Sequence, residues 1–160
     1  MNGGTRESPS GPAGVPAVAH LPRAMAEAIV AQAWEENPNE ACGIVVGDRS
    51  AAEGGRALRY EPARNVSASP FLYEIDSADL LRITVATDDA DEVFWAIVHS
   101  HTHSEARPSA TDIRLAFYPD ALYILVSLAD DEADPETGAR SIRAWRIKDG
   151  TPIEVPLEIS

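Results

Sequence analysis

The sequence predicts one domain of the α/β (α+β) class, a single mixed β-sheet with helices packed on it. Three observations carry that reading. Val93 to Val98 (VFWAIV) and Ala121 to Leu128 (ALYILVSL) are almost wholly apolar, as strands covered on both faces are. After an opening helix, strand-like and helix-like segments follow in the order β, β, α, β, α, β, β, β. The chain has 160 residues, enough for one full-sized core and too few for two.

Residues 1–19 are rich in Gly, Pro and Ser and are read as a disordered tail, leaving 20–160 as the domain. A helix follows from about Pro22 to Glu36. Pro22 suits its first turn, Met25, Ile29, Ala33 and Trp34 make an apolar stripe, and Asn37-Pro38 stops it. Cys42 to Gly47 (CGIVVG) is a short strand bounded by glycine, and a second strand is expected over Arg56 to Glu61 after the Gly54-Gly55 turn. Pro70 to Asp76 looks extended. It leads into SADLLRITVATDDA, read as a helix capped by Asp76 or Ser77, although Ile83, Thr84, Val85 and Thr87 also suit a strand. Another helix opens at Ser109, between the two buried strands. Asp130 to Arg140 reads as a polar hairpin loop. Ser141 to Lys148 and Ile153 to Ile159 then form a closing pair around an Asp149-Gly150 turn. In the last strand Ile153, Val155, Leu157 and Ile159 share a face, and Pro156 suits an edge. No internal repeat is visible.

Composition narrows the function. Acidic residues outnumber basic ones 26 to 13, for a formal net charge of -13, and the only lysine is Lys148. Such a surface repels phosphate backbones, so nucleic acid is not an expected partner. Cys42 is the sole cysteine, which excludes an internal disulfide and Cys-rich zinc sites and fits a reducing cytoplasm. With no signal peptide and no span-length apolar run, the expectation is a cytoplasmic protein that does not enter a membrane.

The chemistry lies in HSHTHSEARPSATD, His99 to Asp112. In an extended chain alternate side chains point the same way, so His99 and His101 project to one side and can share a metal ion. Zinc accepts imidazole nitrogen readily, and an anionic third ligand offsets its charge. Asp112, in the first turn of the next helix, is placed to return to the strand end. Three protein ligands leave a fourth tetrahedral position for water, as in a catalytic rather than a structural site.

The pattern is H-x-H, seven residues, Ser, two residues, Asp. With Glu40 ahead of CGIVVG, and with NEACGIVVG and RNVSASPFLYEID, it resembles the JAMM or MPN+ metallopeptidases, in particular their bacterial branch. The resemblance runs from about Leu21 to Leu128 and implies a JAMM/MPN, cytidine-deaminase-like fold. It implies a zinc peptidase in which His99, His101 and Asp112 hold Zn2+. Glu40 would act as general base and then acid, and Ser109 would donate a hydrogen bond to the oxygen that becomes negative. It also implies a substrate: the amide after the C-terminal Gly-Gly of a small ubiquitin-like sulfur-carrier protein, cleaved to release cysteine.

Other readings stand beside these. Ser109-Ala-Thr-Asp112 is also a helix start, and Ser109 can cap as well as face a metal. His103 continues the alternating series and competes with Asp112 as a ligand. Cys42 reads as core, Asn65 as a turn residue and His20 as solvated, while Phe71 and Tyr73 line a groove or pack in the core. A non-catalytic MPN-type scaffold, a deubiquitinase-like isopeptidase with another substrate, and a non-haem iron enzyme are the alternative functions.

Overall fold

The computed structural model describes residues 18–129 and 141–160; the tail over 1–17 and the hairpin loop read over Asp130 to Arg140 lie outside the described residues. Among the described residues, three α-helices and eight strands form a six-stranded mixed sheet, with helices on both of its faces, and a separate two-stranded sheet. β1 (Ala19–Leu21) and α1 (Arg23–Glu36) precede β2 (Cys42–Gly47), β3 (Ala57–Ala63) and α2 (Ser77–Asp89). β4 (Val93–His101), α3 (Ala110–Arg114), β5 (Leu122–Ser127), β6 (Ser141–Lys148), β7 (Thr151–Val155) and β8 (Leu157–Ile159) complete the chain. The main sheet has the order β3-β2-β4-β5-β6-β7. Only β4 and β5 run parallel in it, joined through α3, so the sheet is mixed as expected.

α1 covers one face of the sheet with Ala26, Ile29, Val30 and Ala33, all buried. These four keep the i, i+3, i+4, i+7 spacing of one helix face. Trp34, assigned to that stripe, is 42 % exposed, because one residue past Ala33 turns about 100° around the axis. Gln32 stitches the helix to the sheet beneath: its Nε2 donates to Cys42 O at 2.9 Å, and its Oε1 accepts from the Tyr60 hydroxyl. α2 covers the other face. Asp76 is its N-cap, accepting from Asp79 N–H at 3.1 Å, while buried Ile83 and Thr87, one turn apart, settle its helical state.

The closing hairpin departs from expectation. Pro156 has no N–H to continue a ladder, and the strand read over Ile153 to Ile159 breaks there into β7 and β8. β7 stays on β6, whereas β8 crosses to pair in parallel with β1. Ala19 N–H donates to Pro156 O at 2.8 Å, so Ala19, assigned to the tail, is a buried strand residue instead. His20 between its buried neighbours is exposed, as expected. Pro70 to Asp76 forms no strand beyond a single bridge between Asn65 and Ile75.

Two features of β4 place the site. A register shift opposite Val45/Val46 leaves Trp95 and Ala96 both in the α1-side core, after which strict alternation resumes. β4 then continues three residues past its apolar run, carrying His99 and His101 within the strand, on the face it shares with Ile97.

Candidate metal centre

His99 sits opposite Cys42, whose thiol is buried, and its ring stacks on Tyr73 at 4.2 Å between centroids. Ser100 points the other way. Its Oγ accepts from Ala41 N–H at 2.8 Å and its N–H donates to Ala41 O at 3.0 Å, tying down the residue after Glu40. Asn65 ties Glu40 from the other side. Its Nδ2 donates to Glu40 O at 3.0 Å and Leu72 O at 2.9 Å, and its Oδ1 accepts from Ser67 and Glu74 N–H groups. Asp112 is set by a capping box at the start of α3. Its N–H donates to Ser109 Oγ at 3.0 Å, and its Oδ2 accepts from Ser109 N–H at 2.9 Å.

His99, His101 and Asp112 converge, with ligand atoms all within 4.8 Å of one another. His101 Nδ1 meets Glu105 O at 2.7 Å; a carbonyl only accepts, so Nδ1 carries the proton. In the neutral ring Nε2 is then a lone pair, and it faces the Asp112 Oδ2 lone pairs at 3.0 Å. Two acceptors at that distance require a cation between them, either a proton or a metal. His99 Nε2 lies 3.2 Å from the same oxygen, yet the contact is too poorly aligned to be a hydrogen bond. Neither ring nitrogen of His99 has a partner, although the residue is only 1 % exposed. A buried imidazole left unpaired costs stability unless something binds it. The two nitrogens and the carboxylate oxygen therefore fit a divalent transition metal such as zinc.

Burial lowers the His99 pKa, favouring the neutral form a metal needs. Burial also pulls on His101, but its bonds to Asp112 and Glu105 overcome this and raise it. Burial would lift the Asp112 carboxyl, but the His101 and His99 imidazoles beside it hold it well below the usual range.

Glu40 is 4 % exposed and its Oε2 has no hydrogen-bond partner. Burial pushes its pKa up to about 8; His101 pulls it down and Asp112 adds to the rise. It lines a cavity of about 360 Å³ with Phe71, His101, His103 and Ser109. A second cavity, about 280 Å³, reaches Asp112 and Tyr73 and is walled by Leu72, Leu80, Leu115 and Phe117. A larger cavity, about 740 Å³, lies beside Arg146 and Lys148 and touches none of the four candidate residues Glu40, His99, His101 and Asp112.

Several sequence readings resolve here. Ser109 caps α3 and also lines the cavity that Glu40 lines. His103 stands outside the cluster: β4 ends at His101, the alternation ends with it, and His103 is exposed. Phe71 is 74 % exposed and is not core, whereas Tyr73 is packed against His99. Sequence reasoning missed Ser100 as a clamp, Asn65 as more than a turn residue, and Glu105 O as the acceptor that orients His101. Only Asn65 left a signal, an Asn at the entry to a loop.

Residues 22–148 match the family of prokaryotic homologs of the JAB domain, and the chain belongs to that family. It is 40 % identical over 135 residues to the CysO-cysteine peptidase of Mycobacterium tuberculosis, covering 84 % of this chain and 86 % of that one. It is 35 % identical over 91 residues to the desampylase of Haloferax volcanii, covering 56 % and 63 %. A solution structure from Desulfitobacterium hafniense matches with a TM-score of 0.73 at 28 % identity, over 89 % of this chain and 92 % of that one. A JAB1/MPN domain protein from Archaeoglobus fulgidus, 16 % identical with a TM-score of 0.53 over 87 % and 97 %, shares the fold.

Proposed function

We propose that this protein is a JAMM-type zinc peptidase that hydrolyses the amide after the C-terminal Gly-Gly of a small ubiquitin-like sulfur-carrier protein, releasing cysteine. The observation that carries this reading is the unpaired, buried carboxylate of Glu40 in a cavity that also meets the His99–His101–Asp112 cluster. The likeness to a CysO-cysteine peptidase and to a desampylase supports the substrate class.

His99, His101 and Asp112 would hold the ion. When bound there, zinc supplies Lewis acidity, polarising the carbonyl and acidifying water. Glu40 takes the proton from the attacking water and hands it to the departing nitrogen. Its raised pKa suits a group that must both accept and release a proton near neutral pH. The Ser109 oxygen already accepts from Asp112 N–H, so its own proton is the group left to give to the oxygen that gains charge. The cavity walled by Leu72, Leu115 and Phe117 takes the extended acyl half. Glycines at the bond let a backbone approach such a walled site without a Cβ in the way. One cysteine, buried and without a disulfide partner, suits a cytoplasmic location.

The test uses purified protein with measured zinc and a carrier ending in Gly-Gly-Cys, weighed before and after incubation, with and without chelator. Cleavage should stop on chelation. Glu40→Gln should keep zinc and lose turnover by about 10²–10⁴-fold, the span general acid–base catalysis supplies. Wild-type-like turnover by that variant removes Glu40 from the mechanism, and absence of zinc from active protein removes the metal.

A further inference from the structure

The two cavities that meet at the metal cluster are unlike in chemistry, and Glu40 lines only one of them. On the peptidase reading above, the proton carried by Glu40 ends on the departing nitrogen. The leaving half of the substrate therefore occupies the Glu40 cavity, and the acyl half lies beyond Asp112.

That cavity ends on a fixed imidazole. Thr102 Oγ1 donates its single proton to Pro70 O at 3.0 Å. The same oxygen lies 2.7 Å from His103 Nδ1, so the bond must run from Nδ1–H to the hydroxyl lone pair. The neutral tautomer of His103 is thereby settled: Nδ1 carries the hydrogen and Nε2 carries the lone pair. Among the described residues nothing donates to Nε2. Phe71 lies against the ring, 5.8 Å between centroids and tilted by 34°. His103 is thus held by a polar contact at one nitrogen and an aromatic neighbour, with an acceptor left for a ligand.

We propose that His103 is the selectivity residue of the leaving-group subsite, accepting a hydrogen bond at Nε2 from a small amino acid whose side chain ends in a thiol or hydroxyl. Its place explains why it is not a metal ligand although it continues the H-x-H-x-H series: the chain has turned at the strand end, and the third imidazole faces the product side of the pocket. Phe71 adds an apolar wall that disfavours bulky leaving groups.

The experiment compares zinc-loaded full-length protein on three substrates with one acyl half, a ubiquitin-like carrier ending in Gly-Gly joined to cysteine, serine or 2-aminobutyrate. The last replaces the thiol by a methyl group. Wild type is expected to favour the thiol and hydroxyl substrates by about three- to tenfold in kcat/KM, what one neutral hydrogen bond is worth. His103→Ala should bring that ratio to about one with zinc content unchanged, and His103→Gln, whose amide oxygen restores an acceptor, should recover part of it. A His103→Ala protein that loses rate equally on all three substrates, or that loses zinc, overturns the proposal, as does a wild type without preference. If wild type cleaves none of the three, the peptidase reading itself fails and this inference falls with it.

Discussion

On the α1 face of the sheet, Ile29, Ala33, Val45 and Val98 pack in an apolar layer, and Gln32 and Ser100 are each hydrogen-bonded. On the opposite face the same strands carry Ile44 and Ile97 in an equally dry cluster, but their ends bear His99, His101 and Glu40. There, buried nitrogen and oxygen atoms stand without partners. Neighbouring residues of a single strand, Val98 and His99, thus serve opposite ends: one lowers the free energy of the empty fold, the other holds back part of it until a ligand arrives. A protein can carry such a deficit because the layer behind it is complete.

The largest expected effects test whether the two faces are separable. Asp112→Ala should weaken zinc binding by more than the roughly 10–100-fold that loss of an outer partner costs, with the fold retained. Ile29→Ala should do the reverse, lowering unfolding free energy by about 2–5 kcal/mol while leaving zinc stoichiometry intact. Zinc titration and denaturant melts of both variants decide the matter; loss of zinc from Ile29→Ala would show that the faces are coupled.

A smaller effect sharpens the contrast through pH. Burial keeps Glu40 protonated up to about pH 8 in the folded chain, against 4.5 as its ordinary value. Between those values the folded state holds a proton that the unfolded chain has released, so this contribution to stability falls as pH rises through the window. Metal-free wild type should therefore lose more stability from pH 4.5 to 8 than metal-free Glu40→Gln, and the difference between their melting curves isolates Glu40. Parallel curves would place that carboxyl in water. The smallest effect is local: Asp76→Ala removes the α2 cap and should cost about 1 kcal/mol without touching zinc affinity.

What could be read from the chain beforehand follows from how far each interaction reaches. The buried strands and the pairing of His99 with His101 are encoded at a spacing of two and were legible, as was the cap at Ser109. Asp112 was reachable because α3 begins a short loop after β4. Glu40 carries no local signal of its use; an acidic residue before a strand is ordinary, and only the family pattern marked it. Ser100 looked like a spacer, because its partner Ala41 lies far away in the chain. β1 was invisible for the same reason, and β8 was legible only as a continuation of β7: three residues cannot display a period, and each stands as a separate strand only because the other is present. Pro156 was seen, but as an edge residue rather than a breaking point.

The rung between Ser100 and Ala41 has a final consequence. It fastens the segment that bears Glu40 to the strand that bears His99 and His101 through one backbone bond and one bond to the short Ser100 hydroxyl, with no flexible arm between them. The separation of Glu40 from His99 and His101 is accordingly a property of sheet spacing, as inflexible as the gap between adjacent teeth on a comb. Slippage of β2 along β4 by one residue would turn every side chain over and send the carboxylate to the wrong side. If Glu40 and the imidazoles act together as proposed, their alignment is inherited from strand register before any substrate arrives.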